Sequence, residues 1–334
     1  MKLDHAQAED LLRRMHGCRV AVLGDLMLDE YLFGEVNRIS PEAPVPIVRV
    51  NRERAVLGGA ANVAANLKAV GAEPLLVGAL QNDPAGIKLR GLLAAQGIGA
   101  DALVLEPSRP TVIKTRVIGQ QQQMLRIDRE DTGEFPQPAV TALCASLEQV
   151  LGRASALVVS DYAKGVVNSE VIARVRELCA ARGIPWIVDP KPSHLELYRG
   201  ATLMTPNTRE LSELTGLPTK GDPEMAAAGQ ALLEVLGLQG LLVTRSEKGM
   251  ALFAPGNGHR EPWVIPTEAR EVFDVSGAGD TVIAVFSAAL ASGADWQSAA
   301  MIANAAAGIV VGKVGTATAT PAEILDHYRD QEAV

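Results

Sequence analysis

Short runs rich in Val, Ile and Leu recur along this chain, each followed by a longer segment of helical character, and that rhythm constrains the fold more than any other feature. RVAVLGD (19–25), PLLVGAL (74–80), ALVVSD (156–161), PWIVDP (185–190), ATLMTP (201–206) and GLLVTRS (240–246) are apolar at consecutive positions. A strand has that character when both of its faces are buried. Between the runs, AANVAANLKAVG, DPAGIKLRGLLAAQG, SEVIARVRELCAARG and TRELSELTG each close on glycine, which readily takes the left-handed conformation that ends a helix. The alternation predicts a mainly parallel sheet covered by helices on both faces, an α/β fold.

Two regions break the rhythm. Residues 30–53 and 109–130 alternate polar and apolar positions with turn residues between them, which predicts a small sheet standing apart as a lid. Two late runs, 277–292 and 295–312, are rich in Ala and Gly, as close helix packing permits. The only biased tract is Gln120 to Gln123. A single domain over 1–334 with this lid is expected.

The chain has 334 residues, 48% hydrophobic and 21% charged, a globular balance without an apolar run of membrane-spanning length. Its first residues, MKLDHAQAEDLLRRMHG, lack the apolar core of a secretion signal, so a soluble cytoplasmic protein is expected. A net charge of −8 and the lack of a Lys/Arg-rich run argue against a nucleic-acid partner; small molecules are the expected ligands. Cys18, Cys144 and Cys179 have neither zinc-site spacing nor disulfide density and read as buried thiols.

In an open parallel sheet, ligands gather outside the carboxyl ends of the strands. Those ends are Gly24-Asp25, Ser160-Asp161, Asp189-Pro190-Lys191, Pro206-Asn207 and Thr244-Arg245-Ser246. Any one of them has an alternative role as a helix cap or turn, but five together point to a site. In LGGAANVAAN (57–66), Gly58 and Gly59 open a helix and let backbone approach a ligand, with Asn62 in the first turn; a plain glycine-rich turn is the alternative. Asn207 and Glu210 have capping-box spacing, and a first-turn carboxylate there can also hold the water shell of Mg²⁺.

DVSGAGDT (274–281) leads into another apolar helix. Its glycines let the N–H groups of Gly277, Ala278 and Gly279 point into one space at a helix N-terminus, an anion hole. Asp280 would repel a phosphate there, so its placement is best explained if it takes the proton from a hydroxyl attacking that phosphate. The pattern GxxxxGK[ST] is absent, and GAGDTV has Val282 where a dinucleotide fingerprint needs its third glycine.

GGAANVAANLKAVGA early, NTRE in the middle and DVSGAGDT late together resemble the ribokinase-like (PfkB) carbohydrate kinases over essentially the whole chain. Within that family, GDLMLDEYLFGEVNRISPEAPVPIVRV and SDYAKGVV are similar to the branch that phosphorylates D-glycero-D-manno-heptose 7-phosphate. The resemblance implies a three-layer sandwich with a β-sheet lid, ATP and Mg²⁺ as cofactors, and Asp280 as catalytic base beside the anion hole. It implies that Asp25, Gly58, Gly59 and Asn62 bind sugar hydroxyls, and that Asn207 and Glu210 act near Mg²⁺ and the ATP phosphates. Thr208 and Arg209 fall within that ATP-binding motif, Thr244, Ser246 and Gly249 fall at nucleotide contacts, and Asn304 falls on the helix bordering the adenine.

Ser246 departs from the family's TxGxxG, where glycine is usual. Some members carry a second, nucleotidyltransferase domain, whereas this chain is expected to hold the kinase alone. The phosphate already on the substrate needs cations; Arg38, Arg116, Lys164 and Lys191 are the candidates, with Lys164 and Lys191 preferred and Arg38 next. Exposed lid edges predict a homodimer through the lid. A kinase for another sugar or phosphosugar, and a non-catalytic ligand-binding protein, are the alternatives.

Overall fold

The computed structural model describes residues 3–120, 122–254, 261–269, 273–313 and 315–332; Gln121 of the glutamine tract lies outside them. Strands β1 (Arg19–Gly24), β4 (Glu73–Leu80), β5 (Leu103–Leu105), β8 (Ala156–Ser160), β9 (Trp186–Asp189), β10 (Leu203–Met204), β11 (Gly240–Thr244), β12 (Met250–Phe253) and β13 (Trp263–Ile265) build the main sheet. Its spatial order is β13-β12-β11-β10-β9-β8-β1-β4-β5, parallel except for the β11-β12-β13 edge.

Strand β1 explains the continuous apolar runs. Val20 and Val22 enter one core and Ala21 and Leu23 the other, so alternation in space needs no alternation in polarity. One face is covered by α1 (His5–Met15), α2 (Ala60–Ala69), α3 (Pro84–Ala95), α8 (Ala278–Ala291), α9 (Trp296–Val311) and α10 (Pro321–Glu332). The other is covered by α4 (Gln137–Leu151), α5 (Ser169–Arg182), α6 (Thr208–Thr215) and α7 (Asp222–Leu236). The three expected layers are present. Small residues let α8 and α9 pack closely: α8 is buried on all sides from Asp280 to Ala289.

The lid is a second sheet ordered β3-β2-β6-β7, made of β2 (Leu26–Ile39), β3 (Pro46–Gly59), β6 (Val112–Gly119) and β7 (Gln122–Arg129). The β2-β3 hairpin begins earlier than the expected boundary at residue 30. Its register runs from Leu26↔Gly59 outward, so the lid starts at the very glycines that open α2. Strand β2 leaves directly from the carboxyl end of β1, one residue past Gly24, which hangs the lid over the strand ends. No helix among the described residues is long and apolar enough to cross a membrane, and all three cysteines are free thiols. Only Cys179 is fully buried; Cys18 and Cys144 are half-buried, which corrects the expectation for those two.

A candidate active site at the carboxyl ends of the strands

The strand ends converge on an open cleft lined by Asp161, Tyr162, Asp189, Lys191, Asn207, Glu210, Thr244, Gly277, Gly279 and Asp280. Asp280 stands in the first turn of α8 and is buried. Asn62 Nδ2 donates to its Oδ2 at 2.7 Å, and the Tyr162 hydroxyl donates to its Oδ1 at 3.0 Å. Burial pushes the carboxyl up to about 6, against the pull of these two bonds and with a further push from Asp29. A carboxylate of that basicity is ionised at neutral pH yet able to accept a proton.

A polar ladder fixes the base to its neighbour helix. Besides the Asn62–Asp280 bond, Thr281 Oγ1 donates to Asn66 Oδ1 at 2.8 Å, and Asn66 Nδ2 donates to the Asn62 carbonyl at 2.9 Å. Gly277, at φ 80°, makes this approach possible, because a Cβ there would lie 2.8 Å from Asn62 Nδ2. Gly279 differs: a Cβ there would meet nothing within 4 Å, so open space faces the helix end. First-turn amides have no partners inside their own helix. Of the three amides expected to face an anion, that of Ala278 donates to the Val275 carbonyl at 3.2 Å.

Asp25 follows the carboxyl end of β1, and its carboxylate is already engaged. Its Oδ2 accepts from the N–H groups of Tyr162 and Lys164, at 2.9 and 3.0 Å, and its Oδ1 from that of Val166 at 3.1 Å. Asp25 therefore anchors the loop that carries Tyr162 to Asp280. Burial, with the charge of Asp161, raises its carboxyl to about 6. Asp161 shapes the same loop: its Oδ1 accepts from Ala163 N–H at 2.7 Å and holds Ala163 at φ 54°. Gly58 lets Asp29 lie against β3, where a Cβ would sit 2.5 Å from its Oδ2.

On the opposite wall, Asn207 and Glu210 form the capping box of α6, the Asn207 side chain accepting from Glu210 N–H and the Glu210 side chain from Asn207 N–H, both at 2.9 Å. Asp189 faces them. Burial first, then the charges of Asp280, Glu210 and Asp161, push its carboxyl well above the ordinary range, with only Lys191 opposing; burial also raises Glu210. Among the described residues no three His, Cys, Asp or Glu side chains are placed to grip an ion directly. Oxygen donors among several carboxylates that Lys191 alone offsets fit a hydrated Mg²⁺, which keeps its waters and needs few protein ligands.

Thr208, Arg209 and Ser246 line a separate groove beside the cleft, with Lys220 and Lys248, and Arg209 is paired to Glu213. Ser246 sits at φ 52°, the conformation in which glycine is at ease. Gly249, at φ 78°, has no room for a Cβ against the Ile265 carbonyl, so the turn into β12 itself demands glycine. Asn304 is buried on α9 and its Nδ2 donates to the Pro266 carbonyl at 2.8 Å. Lys164 reaches Glu130 at 2.7 Å on the lid side, whereas Lys191 lies in the cleft with Asp189 and Glu210. Arg38 is exposed near the tip of the lid hairpin, opposite Ile47. Twelve residues of β2 separate it from Leu26, about 40 Å along a strand, and it is not among the residues that line this cleft.

Sequence reasoning left Tyr162 and Asp189 without roles. In the sequence Tyr162 is only an aromatic next to Asp161, and Asp189 one strand end among five.

The family described as pfkB family carbohydrate kinase matches residues 19–323. The protein named Bifunctional protein HldE from Desulfatibacillum aliphaticivorans is 46% identical over 314 residues, 94% of this chain and 64% of that protein. Its namesake from Azorhizobium caulinodans is 48% identical over 306 residues, 91% and 63% respectively. The chain thus spans just under two thirds of these relatives. Among solved structures, Arabidopsis thaliana ribokinase complexed with ribose and ATP has a TM-score of 0.74 at 22% identity, covering 94% of this chain and 99% of that one. Phosphofructokinase-2 from Escherichia coli in complex with potassium has 0.79 at 19%, covering 95% and 99%. These structures establish the ribokinase-like fold, and the family match over most of the length establishes the rest: the chain belongs to the pfkB family of carbohydrate kinases, phosphotransferases that act on a sugar hydroxyl.

Proposed function

We propose that this protein transfers the γ-phosphoryl group of ATP to the anomeric hydroxyl of D-glycero-D-manno-heptose 7-phosphate, giving the 1,7-bisphosphate and ADP, a step toward ADP-heptose and the lipopolysaccharide core. The observation that carries the reaction type is Asp280, buried at a helix N-terminus with its carboxyl at about 6 and both oxygens oriented by Asn62 and Tyr162. The heptose assignment is supported by the resemblance of 24–50 and SDYAKGVV to that branch of the family, and by relatives named HldE.

The acceptor hydroxyl displaces one of the two donors on Asp280 and gives its proton to the carboxylate as it attacks. The amides of Gly277 and Gly279, with the α8 dipole, stabilise the charge spread over the transferred group. Lys191 neutralises part of that charge from the facing wall. Asn207 and Glu210, with Asp189 beside them, would hold the water shell of Mg²⁺, which when bound would screen the phosphate charges. Thr244, Ser246, Gly249 and Asn304 border the nucleotide, and Thr208 and Arg209 lie at its phosphate end. Asp25, Gly58, Gly59 and Asn62 shape the sugar side.

ADP release measured with heptose 7-phosphate, fructose 6-phosphate and ribose tests the substrate. Release is expected to be far fastest with heptose 7-phosphate; preference for another sugar would make this a different kinase of the family, and no release with any would favour a binding protein.

Two lids paired across a twofold axis would cover edge strands β3 and β7 and the exposed Leu125 and Ile127. Sedimentation at micromolar concentration is expected to give a dimer, and a monomer alone would contradict the pairing.

A further inference from the structure

Lys191 stands between two prolines. Neither Pro190 nor Pro192 has an N–H to give, and a residue that precedes proline is held extended, as Lys191 is at φ −110° and ψ 122°. Its own N–H is therefore the one backbone donor of residues 190–192, and it donates to the Tyr198 hydroxyl at 2.8 Å. Tyr198 closes the short 3₁₀ segment Pro192–Tyr198 and is fully buried.

The Tyr198 hydroxyl passes this bond on to a carboxylate. It donates to Asp161 Oδ2 at 2.7 Å, and His194 Nδ1 meets the same oxygen at 2.7 Å. A carboxylate only accepts, so the His194 ring carries a proton on Nδ1 and donates it. The Asp161 side chain has no exposure at all, and Ala163 N–H supplies a third donor on Oδ1. Three donors satisfy a buried charge that none of them could hold alone. Burial and then the charge of Asp161 push the Tyr198 phenol far above its ordinary range, so it remains a donor.

One carboxylate thus ties two loops together. Ala163 belongs to the loop that presents Tyr162 to Asp280, and His194 and Tyr198 belong to the segment that begins at Lys191. The His194 N–H also returns to the Lys191 carbonyl at 2.9 Å, so both backbone polar groups of Lys191 end on this cluster. Neither Tyr198 nor His194 is among the residues that line the cleft, whereas Lys191 is. The far end of the segment is fixed independently, because Arg176 of α5 donates to the carbonyls of Glu196, Leu197 and Arg199 at 3.2, 2.8 and 3.1 Å. A lysine ammonium sits on a flexible stem; fixing the backbone beneath it is how the fold narrows the places it can reach.

We propose that Tyr198 and His194, gathered on Asp161, are positioning residues for Lys191: they hold its backbone where the ammonium faces the phosphoryl group in transfer, and they lock that place to the loop that orients the base. The proposal rests on the phosphotransfer reading above, in which Lys191 neutralises charge on the transferred group, and is independent of which sugar accepts it.

The test is a double-mutant cycle between Tyr198→Phe and Lys191→Met, with kcat and KM measured for ATP and for the acceptor that the wild-type protein turns over fastest. Phenylalanine keeps the buried ring and leaves the Arg176 anchor in place. Tyr198→Phe is expected to lower kcat about three- to tenfold, the range for one lost hydrogen bond, with KM for the acceptor near the wild-type value. In the Lys191→Met background the same change is expected to cost almost nothing further, since residues that act through one group are not additive. His194→Ala is expected to lower kcat as well, and His194→Asn, whose amide can donate where the ring Nδ1 does, to recover most of it. Should Tyr198→Phe fail to fold, His194→Ala takes its place in the cycle. A loss as large in the Lys191→Met protein as in the wild type, no loss at all, or no recovery by His194→Asn overturns the positioning role and leaves Lys191 in its own. A wild-type kcat for Lys191→Met itself overturns both.

Discussion

Asp280→Asn is expected to lower kcat by on the order of a hundredfold or more, the range carried by a positioned general base, while making the protein harder to unfold at neutral pH. Asparagine keeps the shape: its carbonyl can accept from Asn62 and its amide can donate to the Tyr162 oxygen. What it loses is the capacity to take a proton. The stability gain follows from linkage. The folded carboxyl sits at about 6 and the ordinary one at 3.8, so between those values the folded state binds more protons than the unfolded state. Stability therefore falls as pH rises through that window, and above it the buried charge costs the fold on the order of 3 kcal/mol. Removing the charge should raise the unfolding temperature at pH 7 and much less at pH 4. In the wild-type protein, kcat/KM should decline as pH falls below about 6, where the base becomes protonated. Near-normal turnover by Asp280→Asn would remove Asp280 from the chemistry.

Gly59→Ala is expected to cost about 3 kcal/mol or more and to abolish most activity in what remains folded. Gly59 has φ 57° and ψ −136°, a conformation closed to residues with a Cβ. A Cβ there would also stand 2.5 Å from the Asp25 carbonyl and 2.8 Å from Met27 Cε. The first obstacle is backbone and cannot rotate aside. It is also the carbonyl that accepts from Ala60 N–H at 3.0 Å and so joins the end of β1 to the start of α2. Alanine would push apart Asp25, which anchors the Tyr162 loop, and α2, which carries Asn62. Denaturant unfolding measures the loss, and a wild-type midpoint with wild-type turnover would show that this junction is not rigid.

The layers of the fold are legible because the parallel strands are buried on both faces, which leaves an apolar run in the sequence wherever a strand passes. Where that condition lapses, so does the signal. Strands β5 and β13 have three residues each and β12 four, too few for a period to declare itself, and the antiparallel edge went unseen. ATLMTP contains a strand of only two residues, Leu203 and Met204, because the chain turns at once into the Asn207 cap. The lid was legible from its alternation, but its start was not: Leu26 to Asp29 are all buried, so the outer hairpin alternates while its root reads as core.

The site divides in the same way. DVSGAGDT and GGAAN announce themselves because a close approach of backbone or a helix end needs particular residues. Tyr162 does not, since its significance lies in a contact with Asp280 across 118 residues of chain. The surroundings of the lysines are hidden for a related reason: strand-end position is visible in the letters, but Lys164 pairs with Glu130 while Lys191 lines the cleft, and loop geometry sets that difference. The left-handed turn at Ala163 decides where Lys164 points.

The central claim is that one sugar phosphate receives a second phosphate at its anomeric carbon, and the direct measurement is the phosphorus spectrum of the product formed from heptose 7-phosphate and ATP alongside ADP release. The account predicts stoichiometric ADP and a product with two phosphate monoesters, the new one coupled to the anomeric proton. A new phosphate at any other carbon, or no ADP with heptose 7-phosphate while fructose 6-phosphate or ribose is turned over, would contradict it.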